Sequence, residues 1–212
     1  MKITRGIFFI AGTDTGVGKT WWTTTLLREA TKAGIRSLGL KPVAAGAVRT
    51  AAGWRNDDAL ALQAASSLAL PYEAINPVCL PLATSPHLAA RSAGVAIDVC
   101  ALANSVRATA QQAELALVEG AGGWLTPLDD QQTLADFALQ LAAPVILVVG
   151  LRLGCLNHAQ LTANAIRDSG LPLAGWIANE LANDHGDRSA QIEFLTRRLG
   201  QPPLGIGGRL SP

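Results

Sequence analysis

The stretch Gly12-Thr13-Asp14-Thr15-Gly16-Val17-Gly18-Lys19-Thr20 follows directly on the apolar run Ile7-Phe8-Phe9-Ile10-Ala11 and leads into a helix-patterned segment. A buried strand, a glycine-rich turn and a helix in that order build a phosphate-binding loop. Backbone N–H groups and the helix N-terminus cradle the phosphates, a lysine neutralises charge, and a Thr hydroxyl ligates Mg²⁺. Gly18-Lys19-Thr20 satisfies the strict pattern, while Thr13 stands where that pattern has its first glycine. The loop is therefore a variant one, and its context points to binding of a nucleoside triphosphate.

The 212 residues suffice for one α/β domain with a sizeable core, expected to span residues 1–212. With 49% hydrophobic and 16% charged residues, much of the chain must be buried in a sheet, helix faces or a subunit interface. A net charge of +1 gives no reason to expect nucleic acid or an acidic membrane as a partner. No apolar stretch approaches the ~20 residues that span a bilayer, and residues 144–151 have the length of a buried strand. The N-terminus lacks the pattern of a secretory signal. Cys79, Cys100 and Cys155 are odd in number and without metal-ligand spacing, which suits a reducing compartment. The expected location is cytoplasmic.

Strand-like and helix-like segments alternate throughout. Strands are expected over residues 6–11, 35–40, 115–118, 144–149 and 173–178. Helices are expected over 19–33, 56–67, 98–112, 133–142, 157–169 and 188–199. Such alternation implies an α/β fold of the P-loop NTPase type, with a mostly parallel sheet and helices on both faces. Runs such as Val145-Ile146-Leu147-Val148-Val149 fit strands buried on both sides. Ligands gather at the carboxyl ends of such strands.

Polar residues stand there. The first strand delivers Lys19 and Thr20, the second Lys41, a central one Glu119, and a later one Asn179 and Glu180. Asp58 opens a helix, where the macrodipole alone favours an acid. Glu119 closes an apolar strand, an expensive place for a carboxylate unless something pairs with it. Mg²⁺ held by Thr20, Glu119 and Asp58 would be such a partner. Lys41 reads equally as an exposed strand end or as an anion-binding group.

Several stretches together carry a resemblance: the glycine loop, Lys41-Pro42-Val43-Ala44, Arg55-Asn56…Asp58-Ala59-Leu60, Asn76-Pro77, Ser85-Pro86-His87 and Val118-Glu119-Gly120-Ala121-Gly122-Gly123. Val148-Val149-Gly150, Leu153-Gly154-Cys155…Asn157-His158 and Gly175-Trp176…Ala178-Asn179 extend it in order over about residues 6 to 180. The chain resembles the dethiobiotin synthetase family, ATP-dependent ligases of biotin synthesis that are usually homodimers. The resemblance implies closure of a ureido ring from 7,8-diaminononanoate and CO₂, with release of ADP and phosphate. One amine takes up CO₂ as a carbamate, the γ-phosphoryl of ATP is transferred to it, and the other amine displaces phosphate. Gly16, Val17, Gly18, Lys19 and Thr20 would hold the ATP phosphates, with Gly120, Ala121, Gly122 and Glu180 also beside the nucleotide. Thr20, Asp58 and Glu119 would surround Mg²⁺. Lys19 and Lys41 would act on the carbamate and the transferring phosphoryl group. Thr15 and Ala45 would lie at the substrate, and Asn179 would read the adenine. Gly154, Cys155, Leu156 and Asn157 would hold the substrate carboxylate from a neighbouring subunit. His87, His158 and His185 receive no catalytic role.

The chain departs from the family at three places. Gly16 replaces a side chain, and Ala45 replaces a common serine, removing a hydrogen bond worth ~0.5–1.5 kcal/mol. Residues 205–212 end the chain where the family carries on over the adenine, so weaker base selectivity is expected. Two other functions fit the same residues: a nucleotide-dependent switch ATPase on this fold, and a nucleotide-binding paralogue with little synthetase activity. The switch ATPases rely on a second lysine within the loop, where this chain has Asp14 and Thr15. Lys41→Gln is expected to keep the fold while cutting turnover.

Overall fold

The computed structural model describes residues 3–181 and 187–210, so His185 lies outside the described residues. β1 (Gly6–Gly12) runs through the glycine loop into α1 (Lys19–Lys32), and β2 (Ser37–Leu40) ends at Lys41. Short elements follow: β3 (Val43–Ala45), the hairpin of β4 (Val48–Thr50) and β5 (Gly53–Arg55), α2 (Asp57–Ala65), α3 (Tyr72–Ile75), β6 (Val78–Leu80) and α4 (Pro86–Ala93). Then come α5 (Val99–Ala110), β7 (Leu115–Glu119), α6 (Leu134–Leu141), β8 (Val145–Leu151), α7 (Cys155–Asp168), β9 (Leu173–Leu181), α8 (Arg188–Leu199) and β10 (Ile206–Leu210).

Six strands form one sheet in the order β10-β9-β8-β1-β7-β2, and every neighbouring pair is parallel. Parallel neighbours need long crossovers, which the helices supply on both faces. Alternation along each strand divides the core accordingly. Phe9 and Ala11 pack with residues of α5, α6 and α7, whereas Ile10 packs with Trp22 and Leu27 of α1 and Leu62 of α2. The Phe9 ring meets Trp124 edge-on at 6.0 Å and Phe137 at 6.1 Å, which fixes the face of β1 beneath the site.

The long elements agree with the sequence expectation, and the differences have local causes. α7 begins at Cys155, two residues early, because Gly154 with φ 93 makes the left-handed turn that starts the helix. β8 and β9 run two and three residues further than their apolar cores, since Gly150, Asn179 and Glu180 stay in register between the two strands. Residues 206–210, for which no element was expected, form the edge strand: Ile206 pairs with Ala178 and Gly207 with Asn179. The parallel pair β3–β6 and the hairpin β4–β5 went unread, because three-residue strands carry no periodicity.

Gly120, the residue after β7, shows how tightly the site is backed. A Cβ there would sit 2.9 Å from Phe9 Cζ. The ring is wedged between Trp124 and Phe137, so it has no room to yield. Gly120→Ala is expected to destabilise the protein by ~1–3 kcal/mol, the usual range for overpacking. A lowered denaturation midpoint with an unchanged m-value would be the signature.

Candidate active site

Three adjacent strands, β1, β7 and β2, bring the polar groups to one level. Ile10 pairs with Glu119 and Leu40 with Val118, so Lys41 leaves β2 beside Glu119. The Lys41 ammonium, 4% exposed, donates to Glu119 Oε1 at 2.7 Å, to Asp58 Oδ2 at 2.9 Å and to the Gly120 carbonyl at 3.3 Å. Burial alone would lower the Lys41 pKa, but the charges of Glu119 and Asp58 outweigh it and raise the pKa above the ordinary lysine value. Asp58 is the counterpart. Burial raises its pKa, and the charge and hydrogen bond of Lys41, aided by Thr20, bring it below the usual carboxylate value. Of the two readings of Lys41, the exposed strand end is excluded. Asp58 follows Asn56, whose side chain caps α2 by accepting from the Ala59 N–H.

Lys19 faces the same space from α1. Its ammonium donates to the carbonyls of Asp14 at 2.9 Å and Gly122 at 2.7 Å. Burial, and then the charge of Lys41, push its pKa down to about 8, against the opposing pull of Glu119, Asp58 and Asp14. α1 starts at Gly18 with φ 91 and no side-chain cap. The N–H groups of its first turn are therefore available to an anion, as is the positive end of the helix dipole. A Cβ on Gly18 would fall 2.3 Å from Asn179 Nδ2, so the loop needs a glycine there. Asn179 is fully buried: Nδ2 donates to the Val17 carbonyl at 2.9 Å and Oδ1 accepts from Trp22 Nε1 at 2.7 Å. An amide has two N–H donors and two lone pairs, so one of each remains.

Thr20 Oγ1 donates to Glu119 Oε1 at 2.7 Å, while the other carboxylate oxygen, Glu119 Oε2, is buried without a hydrogen-bond partner. A buried orphan oxygen beside a Thr hydroxyl and a second carboxylate is a hard-oxygen set, the chemistry that suits Mg²⁺. The residues present fit that ion. Among the described residues, no group of three or more His, Cys, Asp or Glu side chains could hold a metal. Any cation here would accordingly need oxygens from a ligand or water as well.

A cleft of about 530 Å³ opens from Lys41 and Asp58 and is lined by Thr15, Ala45, Ala121 and Gly122. A smaller hollow of about 240 Å³ runs along Gly16, Gly18, Lys19, Thr20 and Trp21 and shares Thr15, Lys41, Asp58 and Gly122 with the cleft. Of the residues singled out in the sequence, Thr15, Gly16, Gly18, Lys19, Thr20, Lys41, Ala45, Asp58, Ala121 and Gly122 line these two cavities. Sequence reasoning missed Ser85, Pro86 and Thr126 as lining residues, although Ser85-Pro86-His87 was among the motifs noted. It also missed the buried pair behind Lys41. Asn76 Nδ2 donates to the Lys41 carbonyl at 2.6 Å, and Tyr72 Oη donates to Asn76 Oδ1 at 2.9 Å while accepting from the Asn56 N–H at 2.8 Å. Two groups of residues stand apart. Glu180 points to the opposite side of β9 from Asn179 and pairs with Arg188 at 3.3 Å. Gly154, Cys155, Leu156 and Asn157 start α7 and do not line the cleft; Cys155 is buried, whereas Gly154 and Asn157 are exposed. Among the described histidines, His87 Nδ1 lies 2.9 Å from Ser85 Oγ.

A family model described as an AAA domain matches residues 7–206. A curated ATP-dependent dethiobiotin synthetase, BioD of Cellvibrio japonicus, is 51% identical over 99% of this chain and 92% of its own length. The enzyme of that name from Escherichia coli K12, BioD 1, is 48% identical over 93% of this chain and 88% of its own. Among solved structures, a ParA family ATPase from Chlorobium tepidum superposes with a TM-score of 0.57 at 12% identity, covering 98% of this chain and 86% of that one. The Mg-ADP complex of the septum site-determining protein MinD from Pyrococcus horikoshii gives 0.55 at 17% identity, covering 96% and 80%. These two likenesses establish the P-loop NTPase type of fold.

The buried pair changes the expectation for Lys41→Gln. Removing the ammonium leaves Glu119 buried without its counter-charge, which costs about 3–5 kcal/mol in comparable pairs. Lys41→Gln should therefore unfold at lower denaturant than the parent, and adding Glu119→Gln should restore part of the loss. Equal midpoints for Lys41→Gln and the parent would contradict the ion-pair account. Lys19 gives a pH prediction. Its pKa of about 8 leaves the free site partly neutral above that value, and a bound triphosphate recharges it. Nucleotide binding should therefore take up protons as the pH rises above about 8, and affinity should fall over that range. Calorimetry in buffers of different ionisation enthalpy would measure the uptake.

Proposed function

Because this chain belongs to the ATP-dependent dethiobiotin synthetase family, we propose that its cleft and glycine loop divide the work of one ligation. The reaction is the family's: 7,8-diaminononanoate, CO₂ and ATP give dethiobiotin, ADP and phosphate, a step of biotin synthesis. The observation that carries this reading is the meeting of Lys19 and Lys41 with Thr20, Asp58 and Glu119 where the phosphate hollow opens into a substrate-sized cleft.

The first turn of α1 and the loop from Gly16 to Thr20 hold the triphosphate, and Asn179 meets the adenine with its remaining donor and acceptor. Thr20, Asp58 and Glu119 would hold Mg²⁺, which would supply positive charge to the phosphates. One substrate amine adds to CO₂ and loses a proton, forming a carbamate in the cleft beside Thr15. The carbamate oxygen attacks the γ-phosphorus and ADP leaves. The second amine then attacks the carbamoyl carbon, losing a proton as phosphate departs and the ring closes. Every partner in the transfer is anionic, so positioned cations matter more than a protein nucleophile. Lys41 is suited to this: it is held charged by Glu119 and Asp58, at the border of cleft and hollow. Lys19 needs the incoming phosphates to restore its full charge.

A homodimer is part of this proposal, with Gly154, Cys155, Leu156 and Asn157 of a second copy completing the cleft. Its support is the uncapped start of α7, beside which Leu153 is 95% exposed. No described helix is long and apolar enough to cross a membrane, and Cys79 and Cys100 are free thiols, which supports a cytoplasmic setting.

Purified protein should form dethiobiotin from diaminononanoate, bicarbonate and ATP with Mg²⁺, and lose that activity on chelation. Lys19→Ala should lower turnover by a factor on the order of 10²–10³, as for loss of one preorganised donor. Absence of product at saturating levels of all substrates would favour a nucleotide-binding paralogue instead.

A further inference from the structure

The third residue of α1, Trp21, leaves 38% of its surface exposed, although its neighbour Trp22 is buried. Among the described residues it is the only aromatic side chain lining the phosphate hollow, where it follows Thr20. Phosphates seated on the loop and the first turn of α1 would lie next to this residue.

The ring is held in place from behind. It meets Trp22 at 4.9 Å with an interplanar angle of 81°. Trp22 in turn donates through Nε1 to the buried Asn179. Gly208 of the edge strand, with φ +85, also lies against the Trp21 ring. A Cβ there would lie 3.0 Å from Trp21 Cε3 and Cζ3, and 2.2 Å from Asn179 Oδ1. The glycine thus lets the β10 backbone close on the indole and on the asparagine together. An indole positioned by packing on its inner side, with apolar surface still facing the nucleotide hollow, is a site for a flat partner.

We propose that the Trp21 indole is the platform on which the nucleobase of the triphosphate stacks, beside Asn179. Stacking engages the π-face common to all bases, so it supplies affinity without reading the base edge. Reading of the base edge then falls to other groups, Asn179 among them. The assignment rests on the ATP-dependence of the reaction and adds to it the group that holds the nucleoside.

The experiment compares the parent with Trp21→Ala and Trp21→Phe. Trp21→Ala should raise KM for ATP, and for GTP where it is used, on the order of tenfold, in line with loss of one base–aromatic stack. Inhibition by inorganic tripolyphosphate, which has phosphates and no base, should be unchanged. Trp21→Phe should recover most of the ATP affinity. ADP should quench fluorescence in the parent, and that component should be missing in Trp21→Phe. An unchanged KM for ATP in Trp21→Ala, or equal weakening of ATP and tripolyphosphate, would overturn the proposal. ADP-dependent quenching by Trp21 in a parent protein that makes no dethiobiotin would uphold this contact while counting against the ligase reading.

Discussion

An ammonium and a carboxylate 2.7 Å apart, both sealed from solvent, set the terms for the groups around them. Desolvating either Lys41 or Glu119 alone costs several kcal/mol, so neither is tolerable there without the other. Their pairing is possible because β2 and β7 are neighbours in register and end at the same level. The remaining members follow from it. Asp58 shares the Lys41 ammonium, Thr20 donates to the same Glu119 oxygen, and Lys19 has its pKa lowered by burial first and by the charge of Lys41 second. Two cations and two carboxylates are close to charge balance when the site is empty. A triphosphate and a carbamate would add several negative charges, which is the physical argument for assigning a divalent cation to the orphan oxygen of Glu119.

Behind that centre the support is neutral and buried. Asn76 and Tyr72 tie the Lys41 backbone to the residue that caps α2, so the two elements carrying Lys41 and Asp58 are fixed relative to each other. Arg55 lies over the Tyr72 ring at 4.1 Å, closing the network towards the β4–β5 hairpin. On the far side of the loop, Asn179 couples Val17 to Trp22 and thereby joins α1 to the end of β9. Asp14 is bound to Arg152, which follows β8 and precedes the start of α7. The loop is consequently held at both flanks, and its position Asp14-Thr15 is engaged with an arginine on one side and opens to the cleft of about 530 Å³ on the other.

Much of this was legible in the residues. The apolar run before the glycine loop, the alternation of strands and helices and the polar residues closing apolar strands all have local causes, in periodicity, backbone freedom and the cost of burying charge. They were enough to place Lys41 and Glu119 at strand ends and Lys19 and Thr20 where the loop after the first strand enters its helix. What remained hidden was short or distant. Three-residue strands have no period to read. Asn76 and Tyr72 look like ordinary core and turn residues until the fold sets them against Lys41. Glu180 adjoins Asn179 in the chain, yet the pleat turns it to the other face and to Arg188.

The phosphate loop, the parallel α/β architecture and the residue types of the site could be inferred from the order of amino acids, because each depends on neighbours within a few positions. Which strands lie side by side could not, since that is settled by packing across the whole core. It took the register of β2 against β7 to turn Lys41 from an exposed strand end into a buried partner of Glu119. It took the pairing of β10 with β9 to bring Gly208 onto Trp21 and Asn179. Contacts made over 78 residues, as between Lys41 and Glu119, or over 157, as between Trp22 and Asn179, leave no local pattern to detect. Their geometry exists only once the sheet has closed.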